Sequence, residues 1–420
     1  MTEQSPAPRR LRVGIVGVTL TGNMGGQAML ETVRQQLERL KPAPELRLFS
    51  IYPEADRASP LRGEMEIAPI APVKFLAVDF SLAILANLLA LIVGPRVVRR
   101  LASGHLRRIA ECDAIVDLSG IAFVQGRGLP LLAYNLACCI PSFAVGVPHF
   151  KLAQSLGPFR SGYWRAISRW ALTRCSAVVA RGAQSARQLA EIGIKAPDAP
   201  DCSFLLDLSE ADFAAARALV PEAMRGTPFV IVSPSRVTRR ACEAAGVEYL
   251  GALAAAIDQL NRAGIFVAIL PHSLNTDTGK NNDIAEAKEL HQRIADANMT
   301  FAIDPPADAK ILRAAFSEAS FAITSRYHAT VAALACGVPP LTISWSFKYS
   351  ELLGYFAGED LIIPAGELSA ERICTEVAKL AAAAPARRTQ LAGLRPQVLR
   401  RAAISFEAVM ENLAAADRGR

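Results

Sequence analysis

The sequence predicts an α/β protein built from two parallel, doubly wound domains, and three observations carry that prediction. At 420 residues the chain exceeds one ordinary hydrophobic core and suits two domains of roughly 200 residues each. Short β-prone apolar runs alternate with stretches of helical periodicity, the pattern of a parallel sheet. The polar residues of unusual type follow directly on those runs, where open parallel sheets place their ligands.

The first run, Leu11 to Val18, is rich in Val and Ile. After a loop to Gly26, the segment Gln27 to Leu40 sets Leu30, Val33, Leu37 and Leu40 on one helical face. Further strands are expected at Leu46–Ile51, Ala114–Leu118, Phe150–Gln154 and Ala177–Ala180. A second series follows at Phe229–Ser233, Ile265–Leu270, Met299–Ile303, Phe321–Thr324 and Leu341–Ile343. The boundary is expected near 205–210, giving domains 1–207 and 208–420. The tail 387–416 reads as a helix that packs back across the first domain.

Hydrophobic residues make up 51% of the chain and charged residues 20%, which excludes disorder. The net charge of +7 comes from scattered basic residues without an aromatic-interleaved stripe. That argues against nucleic acid and for an anionic small molecule or a membrane surface. Eight cysteines form no CxxC pair, so neither disulfides nor a metal site is expected and the compartment is reducing. The polar first ten residues lack the apolar core of a signal peptide, so a cytoplasmic location is expected. Phe80 to Gly94 is nearly all apolar and is followed by Arg96, Arg99, Arg100, Arg107 and Arg108. It is shorter than the roughly 17–25 residues of a spanning helix, so burial between domains or shallow seating in a membrane interface is expected.

The richest stretch is Thr324-Ser325-Arg326-Tyr327-His328-Ala329-Thr330, where a strand turns into a helix that stops at Gly337. Unpartnered N–H groups and the positive end of the helix dipole favour an anion there, and Arg326 and His328 add charge. Ser325 is expected as the helix cap, and the same residues also fit a plain capped, solvated first turn. Gly22-Asn23-Met24-Gly25-Gly26 is a βα loop whose missing Cβ atoms admit close backbone approach. It has neither the full dinucleotide spacing nor the Lys-Ser/Thr of a P-loop. His272 follows Leu270-Pro271 at the mouth of a strand end, and Lys348 follows the next strand as a point charge suited to phosphate. Ser155 follows the fourth strand and Arg181 the fifth. The active site is expected in the cleft between the two domains. Asp201 is expected to orient the domain hinge.

Taken in order, these motifs resemble the polysaccharide pyruvyl transferase family. The matching pieces are Gly22-Asn23-Met24-Gly25-Gly26-Gln27-Ala28, Gln154-Ser155-Leu156-Gly157-Pro158, Ala180-Arg181, Pro200-Asp201, Leu270-Pro271-His272, Ser325-Arg326-Tyr327-His328-Ala329 with Gly337-Val338-Pro339, and Lys348. The sequence departs from the family at Gly25-Gly26, where Gly-Asp is usual, and at a shortened glycine stretch, Asp117-Leu118-Ser119-Gly120.

The resemblance implies two Rossmann-like domains in a GT-B-like arrangement. It also implies transfer of the enolpyruvyl group of phosphoenolpyruvate onto a sugar of an exopolysaccharide or envelope glycan, carried on a lipid if 80–94 meets the membrane, with no cofactor or metal. In that reading His328 is the general acid and His272 the alternative acid or base. Arg326, Arg181 and Lys348 hold the donor, Asn23 and the backbone of Gly25 and Gly26 face the acceptor in the first domain, and Ser325 and Ser155 are further substrate-binding residues. Two alternatives share parts of the pattern. One is a GT-B glycosyltransferase using a nucleotide sugar, for which no clear acidic ribose ligand follows the helix before Glu351. The other is a non-catalytic binding protein.

Overall fold

The computed structural model describes residues 10–71, 74–274 and 282–418. All strand pairing within its two sheets is parallel. The strands of the first sheet are β1 (Arg12–Val16), β2 (Glu45–Ser50), β3 (Glu66–Pro69), β4 (Ala114–Asp117), β5 (Ile121–Ala122), β6 (His149–Leu156), β7 (Ala177–Arg181) and β8 (Asp198–Ala199). They run in the order β3-β2-β1-β4-β6-β7-β8, with β5 beside β6. The second sheet holds β9 (Phe229–Ser233), β10 (Phe266–Ile269), β11 (Thr300–Ala302), β12 (Phe321–Thr324), β13 (Pro340–Ser344) and β14 (Ile362–Pro364), ordered β11-β10-β9-β12-β13-β14. Both are doubly wound, and their strand order reverses at β1/β4 and at β9/β12, the positions where such sheets open a crevice at the carboxyl ends.

The sheets form because their strands are buried on both faces. In β9, Val230 and Val232 join one core while Phe229 and Ile231 join the other; β10 divides Val267 and Ile269 from Ala268 in the same way. Each fully buried branched side chain of this kind contributes about 1.5–3 kcal/mol. The strands β3, β5, β8 and β14 are absent from the sequence prediction, being two to four residues long and without a distinct apolar run.

By contacts the chain divides into two compact units. The first comprises the residues up to Thr19, Leu30–Ala199 and the segment from Ala403 onward; the second comprises Leu20–Met29 and Pro200–Ala402. The change at Ala199/Pro200 precedes the expected 205–210. The loop of Asn23, Gly25 and Gly26, assigned from sequence to the first domain, groups with the second unit instead. Its backbone is tied to the second unit, with Leu274 N–H donating to Gly22 O at 2.8 Å and an antiparallel bridge joining Asn23 to Ser273. The C-terminal helix runs unbroken over Ala370–Arg418.

The apolar segment differs from expectation in length and burial. A π turn at Phe75–Asp79 leads straight into the helix Phe80–Val93. Together they make 19 residues of mean hydropathy 2.4 that are only 6% buried, long and apolar enough to cross a membrane. Leu85, Leu91 and Ile92 are 62%, 72% and 83% exposed, so the buried-helix reading is wrong. A second stretch of sufficient length and hydropathy, Gln125–Val145, is 56% buried and serves as a core helix of the first unit.

Candidate active site

In the second unit the residues that follow β9, β10 and β12 converge, and the Leu20–Met29 segment packs onto them. Ser325, directly after β12, is fully buried. Its N–H donates to Ser233 O (3.1 Å), its Oγ accepts from the Tyr249 hydroxyl (2.7 Å), and its carbonyl accepts from Thr238 Oγ1 (2.7 Å) and the Tyr349 hydroxyl (3.1 Å). The expected helix-capping role is therefore incorrect: Arg326 occupies the cap position of the helix Tyr327–Ala335, and its side chain makes no capping bond. Ser325 instead fixes the backbone from which Arg326 and His328 project.

Arg326 forms a bidentate pair with Asp283, Nε to Oδ2 at 2.7 Å and Nη2 to Oδ1 at 2.8 Å. Burial alone would lower the guanidinium pKa, but the Asp283 carboxylate outweighs it and holds Arg326 firmly cationic. Asp283 also accepts from the Arg236 N–H (3.0 Å), and its own N–H donates to Ser273 O (2.9 Å). The 22–26 loop, the 272–274 loop, Asp283 and Arg326 thus form one connected frame. Two of the five guanidinium N–H groups are committed to Asp283, so the site carries less uncompensated charge than the sequence suggests.

His328 stands at the second position of the nine-residue helix. Its Nε2 lies 3.4 Å from Oδ2 of the buried Asp201, whose Oδ1 accepts from Ser203 N (3.0 Å) and Ser203 Oγ (2.7 Å). On its other side the ring fills the space that a side chain at Gly25 would need: a Cβ there would overlap Nδ1 and Cγ of the imidazole. Asn23 Oδ1 accepts from the N–H of Gly25 (3.1 Å) and Gly26 (3.4 Å), so it caps the helix Met24–Leu37 and holds Gly25 against the ring. Asn23, Gly25 and Gly26, expected to face the acceptor from the first domain, group with the second unit and lie beside His328.

His272 is 5% exposed. Burial, joined by the charges of His328 and Arg326, pushes its pKa down to about 3, which disfavours its protonated form. Lys348 begins the helix Lys348–Gly354, and its Nζ lies over the rings of Trp345 (4.5 Å), Tyr327 (5.2 Å) and Tyr349 (5.3 Å). The ammonium sits in an aromatic cage, where ring quadrupoles stabilise it.

In the first unit, Arg181 and Ser155 are buried together. Arg181 donates to Ser155 Oγ from Nε and Nη2 (both 3.2 Å) and to Gly120 O, a contact that joins β7 to the ends of β5 and β6. The planar fork expected to clamp the donor thus has a structural use here.

A buried network that sequence reading missed lies beside it. Asp117, at the end of β4, pairs with Lys151 and accepts from Gln154 Nε2 (2.9 Å) and Ser119 N–H (2.8 Å). His149 Nε2 lies 3.4 Å away. Burial works against the Asp117 anion, but Lys151 and His149 hold its pKa well below the usual carboxylate range. Beside the ring, Cys139, His149 and Cys175 bring their donor atoms within 4.8 Å of one another. The long sequence spacing of its members leaves no local pattern that marks this group.

The family model for polysaccharide pyruvyl transferase matches residues 23–346. The chain belongs to this family. It is a pyruvyltransferase of the polysaccharide type, and the match covers every strand except β1 and β14 and every site residue expected from the sequence except Lys348. Solved structures agree on the fold at low identity. The UDP-GlcNAc 2-epimerase of Neisseria meningitidis bound to UDP-GlcNAc is similar with a TM-score of 0.58 at 10% identity, over 96% of this chain and 99% of that one. The α,α-trehalose 6-phosphate synthase of Burkholderia multivorans gives 0.54 at 12%, over 98% and 100%. A glycosyltransferase of Rickettsia africae gives 0.53 at 10%, over 96% and 100%. The pyruvyltransferase therefore has a GT-B-like fold of two Rossmann-like domains.

Proposed function

We propose that this pyruvyltransferase uses phosphoenolpyruvate as donor and forms a pyruvate ketal on a sugar of an exopolysaccharide or cell-envelope glycan. The observation that carries the reading is His328, set one residue into a helix start beside Arg326 and backed by the Asp201 carboxylate. The donor's phosphate and carboxylate are anions, and a helix N-terminus with an adjacent guanidinium favours such groups. His328 protonates the methylene carbon of the enolpyruvyl group, C2 takes the positive charge, and a sugar hydroxyl adds there. Phosphate leaves with the C2–O bond as a second hydroxyl closes the ketal, so one donor and one diol give one ketal and one phosphate. Asp201 orients the ring, and its carboxylate balances the positive charge that the imidazolium carries before it gives up its proton. No cofactor is required by this chemistry.

The acceptor is read as a lipid-linked saccharide met at the inner face of the cytoplasmic membrane. The support is the exposed face of Phe80–Val93, with Arg96, Arg99 and Arg100 following it, a composition suited to an anionic interface.

The test is thermal stabilisation of the purified protein by phosphoenolpyruvate beside a panel of nucleotide sugars, with Arg326→Ala as control. Stabilisation by phosphoenolpyruvate that disappears in the variant supports the reading; stabilisation by a nucleotide sugar alone overturns the donor assignment.

A further inference from the structure

A cavity of about 450 Å³ lies within the second unit, at the end of the helix Tyr327–Ala335 away from His328. Ala335, Cys336 and Gly337 form one wall, and at 1.5 Å per helical residue that wall stands about 10 Å along the axis from His328. Phe204, Leu206, Leu208 and Phe213 supply an apolar side, and Arg313 and Arg395 add two cations.

Arg313 is 4% exposed, and its burial is poorly compensated. Among the described residues it forms no ion pair; Nη1 donates to Ser203 O, and Nε, shut off from solvent, has no partner. Burial lowers the guanidinium pKa and outweighs the help of its neighbours, Cys336 and Asp201 included, whereas at Arg326 the Asp283 carboxylate wins. A neutral donor would serve Ser203 O without burying a charge, and a buried charge is ordinarily paired. The position calls for an anion.

The surroundings agree. On the C-terminal helix Arg388, Ala392 and Arg395 fall at i, i+4 and i+7 on one face, of which Ala392 and Arg395 line the cavity. Burial pushes the thiol of the lining residue Cys336 up to about 11, and Arg313, Arg395 and Arg388 oppose it. The carbonyls at the helix end are taken up: Ala335 O accepts from Arg395 Nε (3.3 Å), Leu334 O from the Gly337 N–H (3.0 Å) and Ala333 O from the Val338 N–H (2.9 Å). Asp207 is the one acid among the lining residues, at an exposed position.

We infer that this cavity is a second anion site, separate from Arg326 and His328, which takes a phosphate monoester bearing a small apolar group. Two guanidinium groups in the wall and a third on the same helix face suit a dianion, and the Phe and Leu side chains suit the apolar group. The volume falls within the range of small-molecule sites, about 300–1,000 Å³. Ser203 links the two sites, accepting from Arg313 and donating from Oγ to Asp201 (2.7 Å).

The experiment titrates the full-length protein by calorimetry with phenyl phosphate, and separately with benzoate and phenol as monoanionic and neutral counterparts. Titrations run on the parent and on Arg326→Ala, which disables the first site, each with and without a change in the cavity. Arg313→Gln keeps an N–H for Ser203 O and removes the charge, while Arg395→Gln and Ala392→Trp alter exposed helix positions. All variants are checked for an unchanged circular dichroism spectrum. Saturable binding of phenyl phosphate is expected in both backgrounds. At least one of Arg395→Gln and Ala392→Trp should weaken it fivefold or more, and folded Arg313→Gln tenfold or more.

Four results overturn the inference: no saturable binding by the parent, benzoate or phenol binding as tightly, undiminished affinity in both Arg395→Gln and Ala392→Trp, or loss of binding in folded Arg326→Ala. The last would mean that the ligand occupies the first site. Phosphoenolpyruvate is absent throughout, so failure of the donor assignment leaves these outcomes unchanged.

Discussion

Asp201 Oδ2 lies 3.4 Å from His328 Nε2, with Gly25 closing the opposite side of the ring. Nε2 of the imidazole faces a buried carboxylate and Nδ1 faces bare backbone, so neighbours on both sides fix the position of the ring.

His328→Ala should lower turnover by about 10²–10⁴-fold, the range a positioned general acid contributes. Asp201→Asn keeps an oxygen for Ser203 but loses the charge, and should lower kcat within that range while changing KM for phosphoenolpyruvate much less. Phosphate release across a pH series reads both. Unaltered kcat in Asp201→Asn would leave the carboxylate a merely structural role.

Gly25→Ala is the sharper geometric test. The added methyl meets the ring, which must swing off Asp201 because the helix start bearing Gly25 is held by Asn23. Activity is expected to fall toward that of His328→Ala, with a melting temperature close to the parent. Full activity in the alanine variant would mean that the ring position is not critical.

Asp283→Ala leaves Arg326, whose side chain is 19% exposed, without its bidentate partner. Removing one member of a buried pair costs about 3–5 kcal/mol, and with this partial exposure chemical denaturation should detect a loss toward the low end of that range. Lys151→Met, which strands Asp117 in the first unit, should lose a comparable amount. A change below 1 kcal/mol in either case, measured as a shift in unfolding midpoint at constant slope, would contradict the buried ion pairs.

His272 and His105 are buried uncharged, with pKa values of about 3 and about 4. The unfolded chain, with histidines near 6.5, binds these protons more readily than the folded one. Their stabilising effect is therefore complete above about pH 6.5 and is lost progressively as pH falls toward 4 and 3. The parent should lose melting temperature on acidification below pH 6.5. Replacing both histidines by Gln should flatten that slope, and an unchanged slope would count against the buried neutral rings.

Much of the molecule was legible in the chain. Two parallel sheets, ten of their fourteen strands and the family itself follow from local apolar runs and from the order of the motifs. Phe229–Ser233 and Phe321–Thr324 match to the residue. These features depend on neighbours along the chain, and periodicity records them directly. His328 and Arg326 were legible for the same reason, as their chemistry follows from standing at a strand-to-helix junction.

The partners of those residues were decided by tertiary structure alone. Asp201 reaches His328 across 127 positions and Asp283 reaches Arg326 across 43, and no local pattern marks which carboxylate pairs with which cation. Folding also drew Gly25 onto the second unit, turned Ser325 from a cap into a buried anchor and left the Phe80–Val93 helix in the open. Sequence periodicity registers that a segment is apolar, but whether that surface is covered depends on what the rest of the chain packs against it.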